Sequence, residues 1–344
     1  MSTVPVVRRW RDVTRGWDPA MLALAGLMAV MTVVSLGGLV LDDRLLGGQP
    51  IWAKPLKFSI SIALYALTWA WLNSLITRAP RLTRWGSRIV MALLLLEMVA
   101  IVGQVVRGRA SHFNNETLFD NWVFRIMGAA ITGAWIVTLV LTVLISRSEV
   151  SDRASRAAVR LGPAISLYGM AVAYLMAVPT AEQVDRMQAG QRPSMIGAHA
   201  VGVPDGGPGL PLLGWSTTGG DLRIPHFIGL HALQALPLLA IALTALAVRW
   251  PVLRDELVRL RLVRIGGAAY FGLCLLVTWQ ALRGQPIVAP DAVTLVAFGL
   301  LVTATALAAA WAVRAGVPRH EPPQSGQPEQ PEQSEQPQRE RVAA

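Results

Sequence analysis

The sequence predicts an all-α polytopic membrane protein with about eight transmembrane helices, and three observations support this fold class. First, the chain is 53% hydrophobic and only 15% charged, whereas soluble domains carry roughly 25% charged residues. Second, apolar runs of the ~20 residues needed to cross the hydrocarbon recur along the chain. Third, arginines cluster at the termini and in alternate connectors, which is the pattern that orients a membrane protein.

The apolar runs place eight helices in order along the chain. The first run follows Arg8, Arg9, Arg11 and Arg15 and ends at Leu41. It lacks the small-residue cleavage site of a signal peptide, so we interpret it as a retained helix. The predicted helices span residues 21–41, 58–77, 88–106, 124–146, 160–179, 226–248, 265–283 and 291–314.

Charge in the connectors predicts the orientation of these helices. By the positive-inside rule the Arg-rich connectors and both termini lie in the cytoplasm, so the helix number is even. The predicted location is therefore a bacterial cytoplasmic (inner) membrane, crossed several times. The opposite connectors, at 42–57, 107–123, 180–225 and 284–290, are extracytoplasmic. The cytoplasmic connectors hold Arg78, Arg81, Arg84 and Arg88, then Arg147, Arg153, Arg156 and Arg160, then Arg249, Arg254, Arg259, Arg261 and Arg264.

Composition divides the chain into four parts. Residues 1–20 form a cytoplasmic N-terminal segment, and 21–315 form the transmembrane domain. Within it, the extracytoplasmic loop 180–225 is long and rich in Gly and Pro, which predicts a functional segment such as a lid. Residues 316–344 turn to Pro, Gln and Glu, have little apolar surface to bury, and are predicted to be a disordered cytoplasmic tail.

Two similar segments raise the hypothesis of an internal repeat. Helix three ends Gln104-Val105-Val106-Arg107-Gly108, and helix seven ends Gln280-Ala281-Leu282-Arg283-Gly284, four helices later. The helices that precede them begin with Lys57-Phe58 and His226-Phe227. We therefore expect two parallel four-helix repeats, 21–148 and 157–315, related by a pseudo-twofold axis along the membrane normal. The alternative is chance similarity among apolar helices.

Polar residues concentrate on the extracytoplasmic side. Lys54 and Lys57 are the only lysines among 31 basic residues, and they lie three residues apart at the start of helix two. They either bind a ligand or extend to the outer headgroups. Glu97 and Gln104 share a face of helix three, with Glu97 near the bilayer centre. Glu97 is expected to be neutral or paired with a cation there, serving as a proton or cation site or making an interhelical hydrogen bond.

Four of the five histidines, His112, His199, His226 and His231, fall on the same side. His226 and His231 are five residues apart, so they do not form the i, i+4 pair of a metal-binding helix, and no metal site is predicted. The candidate catalytic residues are His226, His231, His112, Asp221 and Glu97. The candidate ligand-binding residues are Lys54, Lys57, Gln104, Arg107, Arg223, Gln280 and Arg283.

The net charge of these candidate residues is positive, which suits a phosphate, a carboxylate or a lipid headgroup. The leading hypothesis is a site that binds or processes an anionic or lipid-like small molecule. A second is a secondary transporter with Glu97 as its proton or cation site. A third is a redox protein holding haem b between His112 and either His226 or His231. The expected partners are the lipid bilayer and the small molecule. The arginines lie in connectors rather than along a groove, so nucleic acid is not expected.

The chain carries no P-loop, paired-glycine dinucleotide turn, histidine box or nucleophile elbow. The sequence therefore leaves open both the substrate and the question of whether the protein is an enzyme.

Overall fold

The computed structural model describes residues 14–316 and is almost entirely helical. The predicted all-α fold class is confirmed, and seven of the long helices in this range are long and apolar enough to cross a membrane. A short helix α6 (Ala181–Gln188) and a 3-10 turn (Pro251–Arg254) lie in connectors. The eight long helices are α1 (Pro19–Leu41), α2 (Ala53–Ser74), α3 (Pro80–Arg107), α4 (Leu118–Ser146), α5 (Arg153–Met176), α7 (Arg223–Leu246), α8 (Glu256–Leu282) and α9 (Ala292–Arg314).

Most helices begin earlier than the apolar runs indicate, because polar caps lie outside those runs. Helix α4 starts at Leu118 rather than 124, where the Thr117 hydroxyl accepts a hydrogen bond from the backbone amide of Asp120. Helix α5 starts at Arg153 rather than 160, after the N-cap Asp152. Caps satisfy the free amides of a first turn. The apolar run therefore marks the hydrocarbon thickness rather than the helix ends.

Helix α2 is the one long helix that is not apolar enough to count as a span by composition. It carries two lysines near its start, and Ser59 and Asn73 along its length are buried. Helices α1, α3, α4 and α7 all pack against it. Because its neighbours shield it, α2 holds polar groups that a lipid-facing helix would expose at high cost.

The two halves of the chain have the same pattern of helix neighbours. The pairs α1–α2, α3–α4, α1–α3 and α2–α3 of the first half correspond to α5–α7, α8–α9, α5–α8 and α7–α8 of the second. The halves meet where α4 packs on α5 and α2 packs on α7. This pattern supports the repeat hypothesis, which stays a prediction.

The long connector between α5 and α7 is folded rather than irregular. It contains α6 and a short antiparallel ladder of β3 (Ala200–Val201) with β4 (Gly220–Asp221). A second ladder, β1 (Leu45–Leu46) with β2 (Gln49–Pro50), lies in the connector between α1 and α2. An isolated bridge from Asn114 to Met195 ties the long connector to the α3–α4 connection. Residues 1–13 of the predicted N-terminal segment and 317–344 of the predicted tail lie outside the described residues.

Candidate functional site

The connection between α3 and α4 folds back into the protein instead of crossing its surface. Ser111, Phe113, Asn114 and Asn115 in it are buried. The Asn115 side-chain amide donates to the Pro193 carbonyl at 2.9 Å, and the backbone amide of Ile196 donates to the Phe113 carbonyl at 2.8 Å. The long connector between α5 and α7 therefore holds this segment in place, with His112 pointing toward α3.

His112 meets Glu97 inside the protein. Its Nε2 lies 3.3 Å from Glu97 Oε1, and its Nδ1 lies 3.0 Å from the Ser111 hydroxyl. Glu97 is ten residues before the end of α3, about 15 Å along the helix axis. The Glu97 side chain is only 1% exposed, whereas that of His112 is 21% exposed. We call the space beside this partly exposed imidazole and buried carboxylate the crevice.

The surroundings of this pair favour an uncharged imidazole. Neither carboxylate oxygen of Glu97 has a well-aligned hydrogen bond among the described residues. Phe58, Phe113 and Phe124 pack around the His112 ring. Burial lowers the pKa of His112 well below its ordinary value, and the positive charges of Lys54, His199 and His226 lower it further.

Lys54 lies at the start of α2 beside the same pair. The helix already runs at Ala53, so Pro55 falls in its first turn, where proline is tolerated. Lys54 Nζ lies 5.9 Å from the centroid of the Phe58 ring and interacts electrostatically with Glu97 and Asp205. Within residues 14–316 this ammonium donates no hydrogen bond. Lys57, one turn later, donates to the Leu213 carbonyl at 2.9 Å.

The long connector between α5 and α7 adds a His–Asp pair that the sequence did not single out. His199 Nδ1 lies 2.7 Å from Asp205 Oδ2, and the backbone amides of His199 and Ala200 also donate to the Asp205 carboxylate. These bonds lower the pKa of Asp205 to about 2. Burial lowers the pKa of His199, with Asp205 opposing the shift and the charges of Lys54 and Arg223 adding to it. The His199 ring packs edge-on against Phe113.

Helix α7 supplies two more imidazoles from the second half. His226 Nδ1 lies 2.8 Å from the Gly169 carbonyl of α5. This contact exists because Gly169 and Gly229 let the two helices touch backbone to backbone. His231 Nδ1 lies 3.3 Å from Gln234 Oε1, and Gln234 donates to the Thr68 hydroxyl of α2.

The three arginines proposed as ligand-binding residues are paired within the protein. Arg223 donates from Nη2 to Asp221 at 2.6 Å and from Nε at 2.9 Å. Arg107 and Arg283 lie 2.6 Å and 2.5 Å from Asp120 and Asp291. Each carboxylate neutralises its arginine. By contrast, Lys54 and Lys57 have no carboxylate within ion-pair distance in the described part of the chain.

The structure thus brings together part of the predicted set. Lys54 interacts electrostatically with Glu97, His112 and Arg223, and His112 with His226. The signal that would have added His199 and Asp205 was a single histidine six residues from an aspartate in the Gly- and Pro-rich loop. The predicted residues at the two helix-end corners, instead of facing the crevice, bond locally: Gln104 and Arg107 to Asp120, Gln280 to Pro286, and Arg283 to Asp291.

The ring nitrogens bear on the haem hypothesis. An axial ligand offers a free imidazole nitrogen to the iron, and both nitrogens of His112 already face protein atoms. The geometry therefore gives no support to His112 as an axial ligand. Within residues 14–316, no group of three or more His, Cys, Asp or Glu side chains is placed to hold a metal ion.

Within the described residues, the site contains one ammonium group without a hydrogen-bond acceptor, several neutral imidazoles and one buried carboxylate. These groups lie where α2 and α3 of the first half face α7 and the long connector of the second. Comparison of the chain with models of protein families, with characterised proteins and with solved structures gives no match. The fold and the site geometry are therefore the basis for inferring a function.

Proposed function

We propose that this integral membrane protein binds a small anionic molecule, or an anionic lipid headgroup, in the crevice formed by Lys54, Glu97, His112, His199 and His226. The observation that carries the proposal is the Lys54 ammonium. It donates no hydrogen bond within residues 14–316 and lies among side chains that are only partly exposed.

The charges around the crevice support an anionic ligand. The neighbouring arginine Arg223 is neutralised by Asp221, whereas Lys54 and Lys57, one turn apart, have no carboxylate within ion-pair distance among residues 14–316. A charged group away from bulk water is costly until it is paired. An anion that reaches Lys54 would supply that pairing, and the imidazoles around it would supply orienting hydrogen bonds.

The proposal is tested by ligand binding to the detergent-purified protein. Inorganic phosphate, glycerol 3-phosphate and short-chain phosphatidylglycerol are titrated by calorimetry and by thermal unfolding. We expect at least one of them to bind and to raise the melting temperature, and Lys54→Met to weaken binding at least tenfold. Arg186→Ala, in an exposed pair on α6, serves as the control and should bind like the parent protein. Equal binding by Lys54→Met and the parent would contradict the proposal.

Proton-coupled transport is the second candidate, and the position of Glu97 favours it. A buried carboxylate beside an imidazole, close to the contact between two halves, is the arrangement in which a proton passes between groups. The test uses proteoliposomes loaded with a pH-sensitive dye and an inward gradient of phosphate or glycerol 3-phosphate. Internal pH should change with the parent protein and not with Glu97→Gln. An unchanged signal in Glu97→Gln would exclude Glu97 as the coupling group.

A further inference from the structure

The hydrogen-bonding capacity left open in the crevice identifies a class of ligand, an inference that rests on the proposed function. Lys54 is a donor without an acceptor, while His199 and His226 each have a ring nitrogen without a partner in the described part of the chain. We propose that the ligand is an anion that also carries hydroxyl groups, namely a polyol phosphate, either free or as the headgroup of a lipid such as phosphatidylglycerol.

The proton of His199 is fixed on one side of the ring. Asp205 Oδ2 accepts from Nδ1 at 2.7 Å, and two backbone amides hold the same carboxylate in position. A neutral imidazole carries one proton, so a donating Nδ1 leaves a lone pair on Nε2. This ring is 26% exposed. Its Nε2 is thus an acceptor that only a donor, or a metal ion, can satisfy.

His226 also carries its proton on Nδ1, but for a different reason. The Gly169 carbonyl, 2.8 Å from its Nδ1, can only accept a hydrogen bond. His226 therefore donates from Nδ1 and also presents a lone pair on Nε2. Gly169 and Gly229 fix this geometry by bringing α5 and α7 into backbone contact, so the ring is not free to adopt the other tautomer without losing its bond.

Lys54, His199 and His226 together favour a ligand that carries hydrogen-bond donors as well as negative charge. A phosphate oxygen is the acceptor that Lys54 lacks, and a second ammonium, Lys57, lies on the same face of α2 to favour a doubly charged group. Hydroxyl groups are the donors that two imidazole lone pairs require. A sulfate or an alkyl phosphate supplies the charge but leaves the imidazoles unpaired. The cationic lysines oppose a divalent metal ion in the same place.

The test uses two matched pairs of probes on the full-length purified protein. Glycerol 3-phosphate is compared with propyl phosphate, and dioctanoyl phosphatidylglycerol with dioctanoyl phosphatidylpropanol. Within each pair the charge and length match, and only the hydroxyl groups differ. We expect the hydroxylated member of one pair to bind about tenfold more tightly, as two ordinary hydrogen bonds would give. The pair that shows the preference identifies the source of the ligand.

Variants test whether the imidazoles cause the preference for the hydroxylated probe. His199→Phe should bring the hydroxylated probe to within about threefold of its partner. His226→Asn, which keeps a side chain near Gly169, is the second variant in case the ring at 199 is needed for folding. Lys54→Met should weaken both members of a pair equally. Thermal unfolding of each variant without ligand verifies that it is folded.

The remaining outcomes separate the inference from the proposed function. If anions bind with no preference within either pair, the hydroxyl inference is wrong and anion binding stands. If neither the four probes nor inorganic phosphate binds, both are wrong. If Zn²⁺ alone binds tightly and His199→Phe abolishes that binding, the two imidazole lone pairs bind a metal ion. This outcome would overturn the inference.

Discussion

At the scale of single residues, the polar groups of the crevice differ in whether they have a hydrogen-bond or ion-pair partner within residues 14–316. The Arg223–Asp221 and His199–Asp205 pairs beside it are complete, as are the Arg107–Asp120 and Arg283–Asp291 pairs at the helix-end corners. Within residues 14–316, Glu97 and Lys54 are among the polar groups left without a well-aligned hydrogen bond. Buried polar groups are nearly always satisfied, so those that are not point to function.

The lowered histidine pKa values predict how stability depends on pH. Burial lowers the pKa of His112 and His199 below the ordinary 6.5, so the unfolded chain binds more protons than the folded protein as pH falls below about 6.5. Stability is therefore retained at pH 7.5 and lost toward pH 5, by at most about 1.4 kcal/mol per pH unit for each histidine. Thermal unfolding of the purified protein at both pH values measures this.

The histidine variants identify the source of the effect. His112→Gln and His199→Gln should each flatten the dependence between pH 7.5 and 5. Asp205 does not interfere, because its pKa is lowered to about 2 and its contribution is lost only below pH 4. A pH dependence that is as steep in the double variant as in the parent would show that other groups cause it.

At the scale of helices and connections, the two Gln-x-x-Arg-Gly segments form the same corner. Gly108 and Gly284 both adopt a left-handed conformation, with φ of 69° and 71°. Gln104 donates to the carbonyl six residues later, as does Gln280. Arg107 and Arg283 each pair with an aspartate at the start of the next helix. A repeated side-chain network is harder to obtain by chance than a repeated glycine cap, which supports the internal repeat.

The aspartates of the two corners differ in exposure, so the same substitution should change protein stability by different amounts. Asp120 is 0% exposed and accepts from Gln104, Thr117 and Arg107, whereas Asp291 is 36% exposed. We expect Asp120→Ala to destabilise the protein by about 2 kcal/mol, because it removes an acceptor of the buried Gln104 amide and the ion-pair partner of Arg107. Asp291→Ala should cause a smaller loss. Thermal unfolding of both variants tests this, and an equal or reversed order would contradict it.

The contact between α5 and α7 gives a second prediction at this scale. A Cβ on Gly169 would overlap the backbone of Gly229, so Gly169→Ala must push the helices apart. We expect a loss of 1 to 3 kcal/mol, about that of overpacking a core, together with weaker anion binding as His226 moves. Gly128→Ala, where a Cβ meets nothing within 4 Å, is the control. Unchanged binding in a destabilised Gly169→Ala would show that His226 does not need this contact.

At the scale of the whole molecule, the crevice lies where the two halves meet. The first half contributes α2, α3 and the inward-folded connection with His112. The second contributes α7 and the long connector with His199. Binding sites in membrane proteins built from repeats commonly lie at such a contact. Helix α2, which is not among the candidate spans, packs against α1, α3, α4 and α7.

The orientation in the membrane is a prediction that single cysteines can test. Cys274 is fully buried, so it should react little with a membrane-impermeant maleimide. In intact cells we expect Gln191→Cys, in the long connector, to be labelled. Ser151→Cys, in the connector between α4 and α5, should be labelled only after the cells are opened. Both positions are exposed. The opposite pattern would invert the topology and place the crevice on the cytoplasmic side.

The sequence by itself determined the fold class and the number of long helices. Length, hydropathy and charge are local properties, and lipid imposes them on any chain that crosses it. Local properties also explain the errors at helix ends, since caps such as Thr117 and Asp152 lie beyond the apolar runs.

Only the tertiary structure decided which polar groups are free to act. The sequence placed Arg107, Arg223 and Arg283 beside Lys54 as equal cations, and the structure pairs the arginines with aspartates. It also brought His199 and Asp205, from a loop that sequence patterns cannot place, to the crevice that holds His112. A pairing between distant segments depends on which surfaces meet after the helices pack, and no local pattern in the chain encodes it.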